Sequence, residues 1–321
     1  MDSGESGEDI MNHIRRKSPF WSLAGPLLAY WAIQVGVQFV IELLVEVPYM
    51  MRASMEMLQN GTAAGMTFEE IMGAYLEAVS PALELLLRYQ VEIVGLSALC
   101  TFPLTIILFK KDRKLERDCG IAPPFRVPVS NYWTIAVMGL VGSIGVTCLA
   151  TMFQAVFYDA QYQQSTQEIY ASPFALQLIA LGVVVPLAEE LMFRGIMFRR
   201  YRENQGFFYS ALWSSLFFSF MHTNGTQMIY TFFLGVLLCY LYDRFGSFKA
   251  PAALHIAVNT GSVVFTQIGL FRWLSEGAER MSGAVIVSAF ICSAMFVLIQ
   301  RIERPEEKPP EEKKDPLDMF R

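Results

Sequence analysis

Residues 173–200 read PFALQLIALGVVVPLAEELMFRGIMFRR. The run is apolar for long enough to cross a bilayer as a helix, since about 30 Å of hydrocarbon takes about 20 residues. Inside it stand Glu189, Glu190 and Arg194, and it closes on two further arginines. Charged groups at that depth cost about 2.5–3.5 kcal/mol each on insertion scales. A soluble core helix needs no such length, and a plain anchor tolerates no such charges. The stretch reads as a membrane helix that carries chemistry.

The rest of the 321-residue chain agrees. Hydrophobic residues make up 54% and charged residues 17%, with mean hydropathy +0.37, against about 25% charge in soluble domains. Charges crowd into short stretches that separate long apolar runs. Eight runs qualify as spans: 20–47, 90–109, 132–157, 173–198, 207–222, 227–242, 250–270 and 282–300. A net charge of −5 without a basic stripe argues against nucleic acid as a partner. A secreted soluble enzyme and a disordered chain are excluded by the same pattern. The expected architecture is all-α, a polytopic transmembrane bundle of about eight spans.

Lysine and arginine orient it. With the N-terminus inside, the inner segments hold twenty of these residues and the outer ones only Arg52, Arg88, Arg272 and Arg280. The positive-inside rule therefore places both termini in the cytoplasm. Residues 1–19 form a cytoplasmic arm, in which His13 is a solvated surface residue. Residues 20–172 hold the first helices, with an outer loop at 48–89 whose run Phe68 to Leu87 has helical spacing. Residues 159–168 read as a polar link, and 303–321 as a Pro/Glu/Lys-rich disordered tail. Glu42, Glu46 and Glu92, near span ends, reach the outer interface. The five cysteines stand singly, with no CxxC, and read as small packing residues. Short loops and no retrieval signal favour a bacterial plasma membrane.

Chemistry concentrates in three strings. Residues four apart share a helix face and adjacent ones diverge by about 100°. Glu190 and Arg194 are therefore stacked as an ion pair, while Glu189 points elsewhere and is left available. Pro186 removes a backbone donor and can kink the helix just before them. The fifth run ends in FSFMHTN, with Phe218 and His222. The seventh holds LHIAVN, with His255 and Asn259 on one face. A carboxylate, two imidazoles and an amide converging between helices suit activation of water for attack on an amide carbonyl. At 1.5 Å per residue their depths differ, so convergence needs tilt, a break near Pro186 or a later start to the fifth span.

EExxxR (Glu189, Glu190, Arg194), FxxxH (Phe218, His222) and HxxxN (His255, Asn259), in this order on separate apolar helices, resemble the CPBP or Abi family of intramembrane proteases. That family includes the type II CAAX prenyl endopeptidases. The likeness covers roughly 173–265, within a catalytic core placed at 173–302. The resemblance implies an eight-span helical fold with its site in a cavity between helices. Glu189 would activate the water, assisted by Glu190 and His222. His255 and Asn259 would stabilise the oxyanion, and Arg194 would be the structural partner of the glutamates. Both metal-dependent and metal-free mechanisms are ascribed to the family. Glu189, His222 and His255 are the donors a zinc ion would use, although HExxH is absent.

The expected function is an intramembrane endopeptidase cutting a membrane-embedded, lipidated or leader-peptide substrate. Two alternatives stay open: a non-proteolytic membrane scaffold that regulates a partner protein, and a proton-coupled transporter. The transporter predicts a pseudo-repeat between halves, and none is visible.

Overall fold

The computed structural model describes residues 19–60, 65–119, 126–161, 164, 172–222 and 224–303. The arm at 1–18, the tail beyond 303 and most of the 159–168 link lie outside them. Among the described residues there is helix and no strand, as a lipid-embedded backbone without water requires.

α1 spans Pro19–Gln59, well past the predicted end at residue 47. It runs through Pro48 because the following turns pack against a second helix, α2 (Phe68–Arg88). Forty-one residues make a rod about 60 Å long, twice the hydrocarbon thickness. The 48–89 segment is thus largely a helical hairpin. Val47, Met50, Met51 and Met55 of α1 and Tyr75 of α2 line a groove of about 310 Å³ in it, and Ser54 Oγ lies 2.7 Å from Tyr75 Oη. Thr67 starts α2 with a capping box: its hydroxyl accepts from Glu70 N, and Glu70 accepts from Thr67 N at 2.7 Å.

α3 (Gln90–Asp118) and α4 (Tyr132–Val156) follow. α5 is the composite helix Phe174–Arg202, and α6 is Phe207–Ser219. α7 (Gly225–Phe245) begins at an Asn224 N-cap and stops at Gly246 in the left-handed region, φ 57°. α8 is Lys249–Gln267, α9 Leu270–Ser275 and α10 Ala278–Gln300. Six helices among the described residues are long and apolar enough to cross a membrane: α1, α3, α4, α5, α7 and α10. Two of the eight predicted segments form helices outside that set. α6 has 13 residues, about 20 Å. α8 has the length, at 19 residues, but its polar side chains hold its hydropathy down. The protein is a multi-pass helical membrane bundle.

Small residues set the packing, as in membrane bundles generally. A Cβ at Gly139 of α4 would sit 2.5 Å from Ala257 Cβ of α8, and one at Gly235 of α7 would sit 2.8 Å from Ser215 Cβ of α6. α4 packs against both α8 and α10, while α5 lies between α3, α6 and α8. The C-terminal end of α5 is tied down by charge. Arg200 forms a bidentate pair with Asp112 of α3 (2.7 and 3.1 Å) and also donates to the Ser22 carbonyl of α1. Arg199 reaches Glu116 at 2.7 Å. These arginines, counted in the sequence as topology signals, also clamp three helices together.

Candidate active site

α5 is not a regular helix. Wide π turns at Ala180–Val184 and Leu191–Phe198 flank a short α segment, Val185–Glu190, with Pro186 in its first turn. The break expected at Pro186 is present, spread over both sides of it. Proline has no N–H, and in the wide register, where Val185 N bonds to the Ala180 carbonyl, the carbonyl left without its donor is that of Leu181. Asn259 Nδ2 of α8 donates to that oxygen at 3.0 Å, and Thr260 Oγ1 approaches the neighbouring Gly182 carbonyl at 3.4 Å. In the second π segment Ser214 Oγ of α6 donates to the Phe193 carbonyl at 2.9 Å. Side chains of the two neighbouring helices thus bond to carbonyls of the wide turns. Such insertions concentrate at functional sites.

The two glutamates sit at the end of the α segment. Glu190 is fully buried, and its Oε1 accepts from Arg194 Nη1 at 2.8 Å, one turn along. Arg194, equally buried, donates its Nη2 to the Gly235 carbonyl of α7 at 3.2 Å and lays its guanidinium over the Phe218 ring, 4.3 Å from the centroid. The close approach of α7 at Gly235 brings that carbonyl within reach. The i,i+4 reading of this pair agrees with the geometry.

His255 joins the two carboxylates. Its Nδ1–H donates to Glu190 Oε1 at 2.9 Å, and its Nε2 faces Glu189 Oε2 at 3.7 Å. Adjacent residues diverging by about 100° were expected to have separate environments. One imidazole spans both because its nitrogens lie on opposite edges of the ring. The glutamates differ in access instead: the Glu189 side chain keeps 12% exposure and Glu190 none.

His222 is not on a helix. α6 stops at Ser219, and Asn224 and Gly225 turn the chain into α7, so His222 lies in the turn between them. Its Nδ1 lies 3.2 Å from the Phe218 carbonyl. Phe218 is the pivot of the site. Its ring stands edge-on to His222 at 5.3 Å and to His255 at 5.6 Å, with Arg194 over its face. With that early helix end, His222 and His255 meet on the same Phe218 ring. Asn259 lies one turn beyond His255, with one amide hydrogen given to Leu181.

The zinc donors expected from the sequence were Glu189, His222 and His255. Among the described residues no three of His, Cys, Asp and Glu come together as a metal-binding group. Glu189 and His255 face each other, and His222 and His255 each stand edge-on to the Phe218 ring.

One buried polar side chain escaped the motif reading. Tyr30 of α1 is fully buried beside this site, its ring edge-on to Phe193 at 6.2 Å. A single tyrosine in an apolar run has no periodicity or spacing that would mark it.

Residues 171–261 match the Rce1-like family of type II CAAX prenyl endopeptidases. The three motifs lie inside that stretch, so the family resemblance holds there. A Bacillus subtilis (strain 168) protein named "Putative membrane peptidase YdiL" is 27% identical over 128 residues, 39% of this chain and 52% of the relative. The UPF0177 protein YxdF of Lactococcus lactis subsp. lactis (strain IL1403) is 31% identical over 88 residues, 27% of this chain and 48% of the relative. The chain spans about half the length of these curated relatives. No solved structure matches it.

Proposed function

We propose that the chain is an intramembrane endopeptidase that hydrolyses a peptide bond of a hydrophobic, lipidated or leader-peptide substrate in the bacterial plasma membrane. The observation that carries this reading is the unequal fate of the two glutamates. Glu190 is spent on Arg194 and His255, while Glu189 is the carboxylate left with access. In the proposed reaction Glu189 takes a proton from water as its oxygen attacks the scissile carbonyl. The π electrons move onto the carbonyl oxygen. His255, held through Nδ1 by Glu190, donates from a protonated Nε2 to that oxyanion, with the second amide hydrogen of Asn259 beside it. Collapse of the tetrahedral species breaks the C–N bond, and the leaving amine takes the proton from Glu189. His222 assists from across the Phe218 ring, and Arg194 keeps Glu190 in place.

The test compares membrane and secreted peptides, by mass spectrometry, from cells carrying wild type or Glu189→Gln at equal membrane levels. At least one product should vanish in the variant. Identical peptide profiles would overturn the protease reading and leave the scaffold alternative.

A further inference from the structure

α1 is the most exposed of the long helices, with only 6% of its apolar window buried inside the protein. The exception is a short stripe on its first half, Pro26, Leu27 and Tyr30. Leu27 and Tyr30 belong to the cluster that holds Met192, Phe193, Ile196 and Phe218. Phe193 lies one turn beyond Glu189 on α5, so the Tyr30 ring is seated directly beside the active-site helix.

The hydroxyl is the informative atom. Although the side chain is fully buried, no group among the described residues meets full hydrogen-bond geometry with it. The charge of Glu189, and after it that of Glu190, acts on the hydroxyl, and the Gln34 side chain one turn along α1 is a hydrogen-bonding neighbour. A buried hydroxyl left without a partner is unfavourable by about 1–3 kcal/mol. Phenylalanine would fill the same space without that cost, so packing alone does not account for the oxygen. A phenol O–H rotates freely to suit its acceptor, and active-site hydrogen bonds are often long before substrate binds and tighten in the complex.

We propose that Tyr30 is a positioning residue of this site, whose hydroxyl turns to Glu189 and fixes the carboxylate against the water it activates. The inference rests on the reading of Glu189 as general base. It gives α1, which lies outside the matched stretch, a part in the chemistry. His255 Nε2 faces Glu189 from α8, and Tyr30 approaches from α1. The carboxylate would then be held between donors on two helices, and a carboxylate held in one orientation is what a near-attack geometry requires.

The experiment uses full-length protein in lipid bilayers and a quenched fluorescent peptide spanning the cleavage site lost in Glu189→Gln cells. Tyr30→Phe removes one oxygen and keeps the ring. Its kcat should fall about ten- to a hundredfold, a part of the 10²–10⁴ that a positioned base supplies. KM and membrane abundance should hold at wild-type values, and the melting temperature should hold or rise, since the buried hydroxyl is removed. Tyr30→Leu, which also loses the ring, should lower kcat and melting temperature together. Wild-type kcat in Tyr30→Phe, with Glu189→Gln inactive, overturns the Tyr30 proposal and leaves the protease reading standing. A fall in Tyr30→Phe activity that merely tracks a fall in melting temperature overturns it too. If wild type and Glu189→Gln yield the same peptides, the protease reading itself fails and takes this one with it.

Discussion

Replacing Arg194 by methionine should destabilise the bundle more than any other single change at the site. The side chain is fully buried and makes three interactions: Glu190 at 2.8 Å, the Gly235 carbonyl at 3.2 Å and the Phe218 face at 4.3 Å. Breaking a buried pair by removing one partner costs about 3–5 kcal/mol, because the other charge stays buried. The lost cation–π contact would by itself contribute about 1–2 kcal/mol, and the uncovered carbonyl about as much. These terms share one side chain and do not add, and methionine refills part of the volume. An expected loss of about 4 kcal/mol is roughly a thousandfold in the folded-to-unfolded ratio, against a total stability of about 5–15 kcal/mol. The double variant Glu190→Gln/Arg194→Met removes both charges, and its amide oxygen still accepts from His255 Nδ1. It should recover about 2 kcal/mol or more of the loss. Thermal and denaturant unfolding in detergent micelles, run on wild type, both singles and the double, yields that coupling energy. If the double is no more stable than Arg194→Met, the buried-charge reasoning is wrong. The same follows if Arg194→Met costs under about 1 kcal/mol.

Asn259→Ala should cost about 1–2 kcal/mol in the same melts, because the Leu181 carbonyl in the first π turn loses its donor; a residue acting only on the oxyanion would leave the melt unchanged. Gly139→Val should destabilise by about 1–3 kcal/mol and lower any Glu189-dependent activity, since its Cβ meets Ala257 Cβ at 2.5 Å and the Leu254 carbonyl at 3.1 Å on the helix that carries His255. Gly36→Ala, with nothing within 4 Å, is the control and should hold or raise the melting temperature. Hydrogen bonds from the Thr67 backbone and then its hydroxyl hold the Glu70 carboxyl below the usual carboxylate range. The stabilisation of the α2 N-terminus is therefore complete above that range and fades as pH falls through and below it. Amide exchange at residues 68–72, compared at neutral and acid pH in wild type and Thr67→Ala, should show protection lost on acidification in the wild type alone.

Helical periodicity made much of the site legible. Glu190 with Arg194 and His255 with Asn259 are i,i+4 pairs, and each pair does share a face in the folded bundle. His222 was readable as a site residue but not as a turn residue, because the apolar run continues past Ser219, where α6 stops, and hydropathy does not mark that end. Pro186 announced a break; where the freed carbonyls went depended on Thr260, Asn259 and Ser214, which lie on other helices. The clamping part of Arg200 was not legible for a related reason. Lysine and arginine near a span end predict orientation, and nothing local reveals that Asp112 of α3 waits 2.7 Å away.

By itself the sequence determined a helical membrane protein, the approximate positions of its long helices, and which residues were too expensive to be there by accident. Those properties follow from the insertion cost of each residue and the 3.6-residue period, both local. Only the tertiary structure decided that one imidazole spans both glutamates, that Phe218 gathers Arg194 and the two histidines, and that Tyr30 packs on Phe193, one turn from Glu189. Each of these joins residues on different helices, whose relative placement depends on small residues such as Gly139 and Gly235 letting the helices approach closely. That placement is set by packing between surfaces, and no single helix carries it in its own sequence.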